Sequence, residues 1–124
     1  MAKVEYISPT FALHKFNGVV SERKIIYQVL KMVDSLLIFI NDKDNMQLSS
    51  MFMALPNRYD NLPVGTRLFG DFMEEETSKG IALRITKKLN KTVFVSCNIE
   101  TDRTMLPLIE KRIYEEIKER PEVF

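Results

Sequence analysis

Thr92-Val93-Phe94-Val95-Ser96-Cys97-Asn98-Ile99 is the stretch that decides the fold. In an extended chain, successive side chains point to opposite faces. Here apolar residues fall at both parities, so the run reads as a strand buried on both faces. Leu36-Leu37-Ile38-Phe39-Ile40 has the same character and reads as a central strand. The other strand candidates also carry apolar residues on both sides. Yet only two helical segments are available to cover them. A sheet with two apolar faces and cover for one needs another chain. That shortage points to a protein that binds proteins and does not turn over a substrate.

Working outward, residues 1–10 read as a loose arm ending at Ser8-Pro9, and residues 11–124 as one domain. Phe11 to Phe16 alternates imperfectly and reads as a first strand, with Asn17-Gly18 as a hairpin-type turn. Glu22 to Val33 fits a strand or a helix by spacing. Its β-branched and aromatic content favours the strand. Asp34-Ser35 turns the chain into the apolar run, and Asn41 to Asn45 turns it out again. Gln47 to Ala54 is a fourth strand. Pro56 and Pro63 mark a loop from Leu55 to Gly65. Thr66 to Phe69 makes a short strand, and Met73 to Glu76 an acidic tip or helix lead-in.

Thr77 or Ser78 caps a helix to about Leu89, with Ile81, Ala82, Ile85 and Leu89 on one face. Asn90 is a left-handed stop. Thr104 caps the last helix and puts Pro107 in its first turn, where a missing N–H does little harm. Leu106, Ile109, Ile113 and Ile117 form its apolar stripe, and Pro121 limits it. About five strands, a helix, a strand and a helix give an α+β pattern with an antiparallel meander, not a βαβ repeat.

A chain of 124 residues suits one core, and 45% hydrophobic with 28% charged residues is ordinary for a soluble globular fold. The net charge of +1 supplies no global field favouring nucleic acid or an acidic membrane. A single cysteine excludes an internal disulfide and a cysteine-based zinc site. The N-terminal residues show no apolar signal core. The longest apolar run, Leu36 to Ile40, falls far below the roughly 20 residues a spanning helix needs. No prenylation motif closes the chain. The expected compartment is the cytoplasm, with the nucleus also open to it.

The chemistry-bearing residues are sparse. His14 is the only histidine, so a histidine-rich metal site is excluded, and a strand histidine satisfied by a neighbour is the favoured reading. Cys97 with His14 as base would make a nucleophile, but no oxyanion-type glycine turn adjoins Cys97. A small buried thiol is the simpler expectation. Asn41-Asp42-Lys43-Asp44-Asn45 lacks the central glycine and distal glutamate of a calcium hand and reads as a hairpin tip. Gly65, Gly70 and Gly80 form no phosphate loop. Lys79, Arg84, Lys87, Lys88 and Lys91 form a basic helix face. It reads as solvated, and if it binds anything, an acidic protein patch fits better than nucleic acid.

Several strings then stand in a familiar order. They are Asp34-Ser35-Leu36-Leu37, Arg58-Tyr59-Asp60-Asn61-Leu62-Pro63-Val64 and Leu68-Phe69-Gly70-Asp71. Ile81 to Lys91, Val93-Phe94-Val95-Ser96-Cys97-Asn98 and Glu110-Lys111-Arg112-Ile113 follow, and Pro121-Glu122-Val123-Phe124 closes the chain. Leu13-His14-Lys15-Phe16 extends the pattern backward. In this order and spacing, over residues 11–124, the chain resembles the proteasome assembly chaperone 4 family of eukaryotes. Glu74-Glu75-Glu76 departs from it where a small polar tract is expected, and Cys97 where an aromatic is expected.

The resemblance implies an α+β fold, a mainly antiparallel sheet of about six strands with two helices packed on one face. It implies a heterodimer with proteasome assembly chaperone 3. That pair helps assemble the ring of α-type subunits of the proteasome core particle and then leaves. It implies no catalysis, no cofactor, no metal, no nucleic-acid or membrane partner and no small-molecule substrate. The partner-interface residues proposed from strand parity are Tyr27, Val29, Ile38, Ile40, Phe94 and Cys97. A one-residue error in register would move each strand's set to the other face. Arg58, Tyr59 and Asp60 in a loop, with Lys87 and Lys88 on the basic helix, are the candidate client contacts, a loop locked by an internal Arg–Asp pair being the equal alternative for the first three. A small adaptor of a trafficking-type complex is the alternative.

Overall fold

The computed structural model describes residues 4–6, 11–70, 72–99 and 104–124, and the side chains of 72–76 lie outside that description. Most of the N-terminal arm also lies outside the described residues. Six strands form one sheet: β1 Ala12–Val20, β2 Arg23–Lys31, β3 Ser35–Asp42, β4 Met51–Leu55, β5 Val64–Phe69 and β6 Thr92–Cys97. The helices are α1 Phe72–Leu89 and α2 Leu106–Glu119, with a 3-10 turn at Pro121–Val123. The spatial order is β1-β2-β3-β6-β4-β5. Every neighbouring pair is antiparallel except β3 with β6, which is parallel. The fold is α+β. The meander is therefore interrupted: α1 carries the chain back so that β6 inserts between β3 and β4.

Both helices pack on one face. Ile81, Ala82 and Ile85 of α1 and Ile109, Ile113 and Ile117 of α2 join a single core with Tyr27, Ile38, Phe52 and Val95. Burying each such aliphatic side chain contributes about 1.5–3 kcal/mol. The short polar segments beside the core are satisfied locally. Ser78 Oγ accepts from the Cys97 N–H at 3.1 Å and lies 3.1 Å from Ser50 Oγ.

The first hairpin turns at Ser21-Glu22, not at Asn17-Gly18. Ser21 and Glu22 take φ of 50° and 67°, as the two-residue turns that match strand twist require. Gly18 sits inside β1 for a different reason: a Cβ there would come within 3.0 Å of Arg112 Cγ and 3.3 Å of the Tyr27 ring. Glycine lets α2 lie close over the strand. Within the segment 22–33, Arg23–Lys31 is a strand, as its β-branched and aromatic content predicts. Helix α1 begins a turn earlier than Thr77, so Glu74–Glu76 fall inside it and are not a loop tip. Helix α2 begins after Met105 without a side-chain cap, and Pro107 occupies its first turn. The fourth strand is shorter than its apolar run, because residues 45–50 leave the ladder. Asn41 Oδ1 accepts from Gln47 N–H, and Asn98 Oδ1 accepts from the Ser49 and Ser50 N–H groups.

Candidate interaction face

The registers show which residues share a face. His14, Val29, Ile38, Val95 and Phe52 stand side by side across the sheet. Phe16, Tyr27, Ile40 and Cys97 form the next row. Both rows lie under the helices. Tyr27, Val29, Ile38 and Ile40 are fully buried and Cys97 nearly so. The Tyr27 hydroxyl donates to the Ile109 carbonyl at 2.9 Å, and its ring stacks on Phe16 at 4.6 Å between centroids. Burial pushes the Tyr27 phenol well above its ordinary pKa.

The interface set proposed from sequence is thus corrected by one register step on most strands. Tyr27, Val29, Ile38, Ile40 and Cys97 face α1 and α2, and only Phe94 points the other way. The physical reason is that both parities of these strands are apolar. Hydrophobicity alone could not say which parity the helices would claim.

The opposite face has no helix over it among the described residues. Leu13, Leu30, Leu37, Phe94, Met53 and Thr66 run across it as neighbours, one from each strand. Leu30, Leu37, Phe94 and Met53 are half-buried by each other, while Leu13 is 59% exposed at the edge. A second row carries Lys15, Gln28, Phe39 and Ser96. The displaced segment before β4 borders this face. Its exposed Met46 and Leu48 form a shallow groove with Phe39, Gln28 and Asn41. Sequence reasoning missed Leu13, Leu30, Leu37, Met53 and Phe39. Their signal was the same alternation, read at the other parity.

The expected client contacts form a separate region. Asp60 and Lys87 line one shallow groove of about 240 Å³ with Asn57, Asn61 and Asn90. Tyr59 is 96% exposed. The loop is not held by an Arg58–Asp60 ion pair, none being present among the described residues. Instead Asn57 Oδ1 accepts from Tyr59 N–H, and Asp60 Oδ1 from Leu62 N–H. Lys88 leaves this groove and sits over the Tyr114 ring, 5.4 Å from its centroid. Structure therefore joins Lys87 to the loop and Lys88 to α2. Arg84 of the basic face is committed to Glu110, both carboxylate oxygens accepting from its Nε at 2.8 Å. Lys91 Nζ donates to a main-chain oxygen of Phe124 at 2.6 Å.

His14 and Cys97 do not meet. They lie three strands apart, roughly 14 Å at the usual strand spacing. The His14 Nε2 is instead 2.7 Å from Glu116 Oε2. Glu116 is almost wholly buried on α2, where Arg112 and Arg120 also donate to its other oxygen. Burial works to raise the Glu116 pKa, but the hydrogen bonds of His14 and Arg112 and the charges of both arginines outweigh it. The net shift is downward. Among the described residues no cluster of His, Cys, Asp or Glu is placed to hold a metal ion, and no helix is long and apolar enough to cross a membrane.

Known proteins share this arrangement. A crystal structure described as a novel chaperone complex for yeast 20S proteasome assembly contains a chain of the same fold. It superposes with a TM-score of 0.60 at 17% identity, over 92% of this chain and 97% of that one. The proteins named proteasome assembly chaperone 4 from human and from mouse are each 38% identical over 114 residues, 91% of this chain and 90% of theirs. A family model described as proteasome assembly chaperone 4 matches residues 24–99, from β2 to just past β6. That span holds most of the open row, and with 38% identity over nearly the full length of both mammalian proteins it settles the kinship: the chain belongs to the proteasome assembly chaperone 4 family.

Proposed function

We propose that this chain is a non-catalytic assembly chaperone that uses the open sheet face to pair with proteasome assembly chaperone 3. The pair promotes formation of the α-subunit ring of the proteasome core particle and departs before the particle matures. It works in the cytoplasm, with the nucleus also open to it, and without cofactor or small-molecule substrate. The observation that carries this reading is the apolar row Leu13–Leu30–Leu37–Phe94–Met53, crossing the sheet with no helix above it among the described residues. A standard interface buries about 800 Å² per partner, which such a row and its rims can supply. The family membership supports the assembly role, and the yeast chain of the same fold comes from a chaperone complex for 20S proteasome assembly.

The client contacts lie elsewhere, at the groove of Asp60 and Lys87 beside the exposed Tyr59. A separate, more polar client surface suits a factor that must let go. The deciding experiment is affinity purification of the tagged chain from its native cells at gentle salt. A stoichiometric small partner together with α-type proteasome subunits, and little mature particle, is the expected result. Recovery with a trafficking complex and no such subunits would overturn the reading.

A further inference from the structure

The open face is electrically one-sided. Lys15 stands on β1 opposite Gln28, and Lys24 on β2 opposite Val19, both exposed. Among all residues of the six strands the only carboxylate is Asp42. Asp42 pairs in register with Ile25, on the helix-covered parity, and accepts from Arg23 at 2.6 Å. The far side of the open face, with Met53, Leu55, Val64 and Thr66, carries no charge. Among the described strand residues the open face is therefore apolar, with cations on its β1–β2 half and no carboxylate; the carboxylates of Glu22 and Asp44 lie in the turns that share a groove with Lys24 at the sheet's end.

A second copy of this face cannot answer that pattern. Two identical sheets can meet about a two-fold axis running along the strands or across them. One arrangement lays the lysines over Met53 and Thr66, and the other lays them over lysines. Neither brings a carboxylate of the described strands to an ammonium that is losing water, and like charges face to face are unfavourable.

We propose that Lys15 and Lys24 determine the specificity of the open face. They select a partner whose apolar face carries carboxylates over the β1–β2 half, and they disfavour pairing of the chain with itself. This inference rests on the open face being the partner surface, as proposed above.

The test is a binding titration of the folded chain against its copurified small partner at low and high salt. Wild type, the double variant Lys15→Glu/Lys24→Glu and the variant Phe94→Asp are compared, each checked for an intact fold by circular dichroism. The double variant should bind at least about tenfold more weakly at low salt, and wild-type affinity should fall as salt rises. The chain alone should sediment as a monomer. Unchanged affinity of the double variant, with binding lost in Phe94→Asp, would overturn this inference and leave the partner surface standing. Unchanged affinity of Phe94→Asp would overturn the partner surface itself, and the inference with it. A wild-type homodimer that Phe94→Asp dissolves would also overturn the inference.

Discussion

The two faces of the sheet are built from the same kinds of residue and differ in what lies over them. On one face Val29, Ile38 and Val95 are completely buried beneath the helices. On the other, their chain neighbours Leu30, Leu37 and Phe94 are only half-buried. Strand hydrophobicity therefore does not report burial in the isolated chain. On the pairing proposed above it would report burial in the assembly, and the covered face marks the burial the chain supplies itself.

Truncation should separate the faces most sharply. Ile38→Ala removes volume from beneath α1 and α2 and should cost roughly 2–5 kcal/mol in chemical denaturation. A loss under 1 kcal/mol would mean that the covered core is not closed. Next in size is the tie between β1 and α2. Glu116→Gln weakens the charge-assisted bonds to His14, Arg112 and Arg120 and should cost about 2 kcal/mol near neutral pH. The sign with pH is set by the lowered carboxyl. Its folded value lies below the ordinary 4.5, so its stabilising increment is present above that value and is lost as pH falls through the folded value. Wild type should thus lose stability more steeply than Glu116→Gln below pH 4.5, and parallel acid profiles would remove Glu116 from the account.

Phe94→Ala probes the open face. It should cost the isolated chain only about 1 kcal/mol, because the ring is half-buried and not sealed in the core, yet weaken partner capture by tenfold or more. A large stability loss with normal capture would reverse the assignment of the faces. The smallest effect belongs to the first turn. Ser21→Asn with Glu22→Gly suits the positive φ angles and should raise stability by about 0.5–1 kcal/mol, read as a higher melting temperature. No gain would mean that the register of β1 is fixed by packing alone.

The shortage of helical cover was legible because Leu36 to Ile40 and Thr92 to Ile99 are apolar at both parities while only two amphipathic stripes exist. The satisfied state of His14 was also legible from its solitude. The parity of the strands was not, since Tyr27 and Phe94 are equally plausible as anchors until the Ile109 carbonyl is seen to accept the Tyr27 hydroxyl. Asn17-Gly18 misled for a related reason. A glycine needed for the approach of Arg112 looks the same in sequence as one needed for a turn. The groove joining Asp60 to Lys87 depends on contact between distant segments, and no local spacing announces it.

The position of β6 has a consequence for the order of events on the ribosome. The strand is the last to be made, yet it sits between β3 and β4. Until residues 92–97 emerge, the β4–β5 hairpin has no sheet to join, and the apolar row is split at the place Phe94 will fill. Such long-range closure is slow compared with hairpin formation. A nascent chain therefore cannot display the continuous apolar row until β6 has been made and inserted. On the pairing proposed above, the topology would delay the partner surface until after α1 and β6 are synthesised.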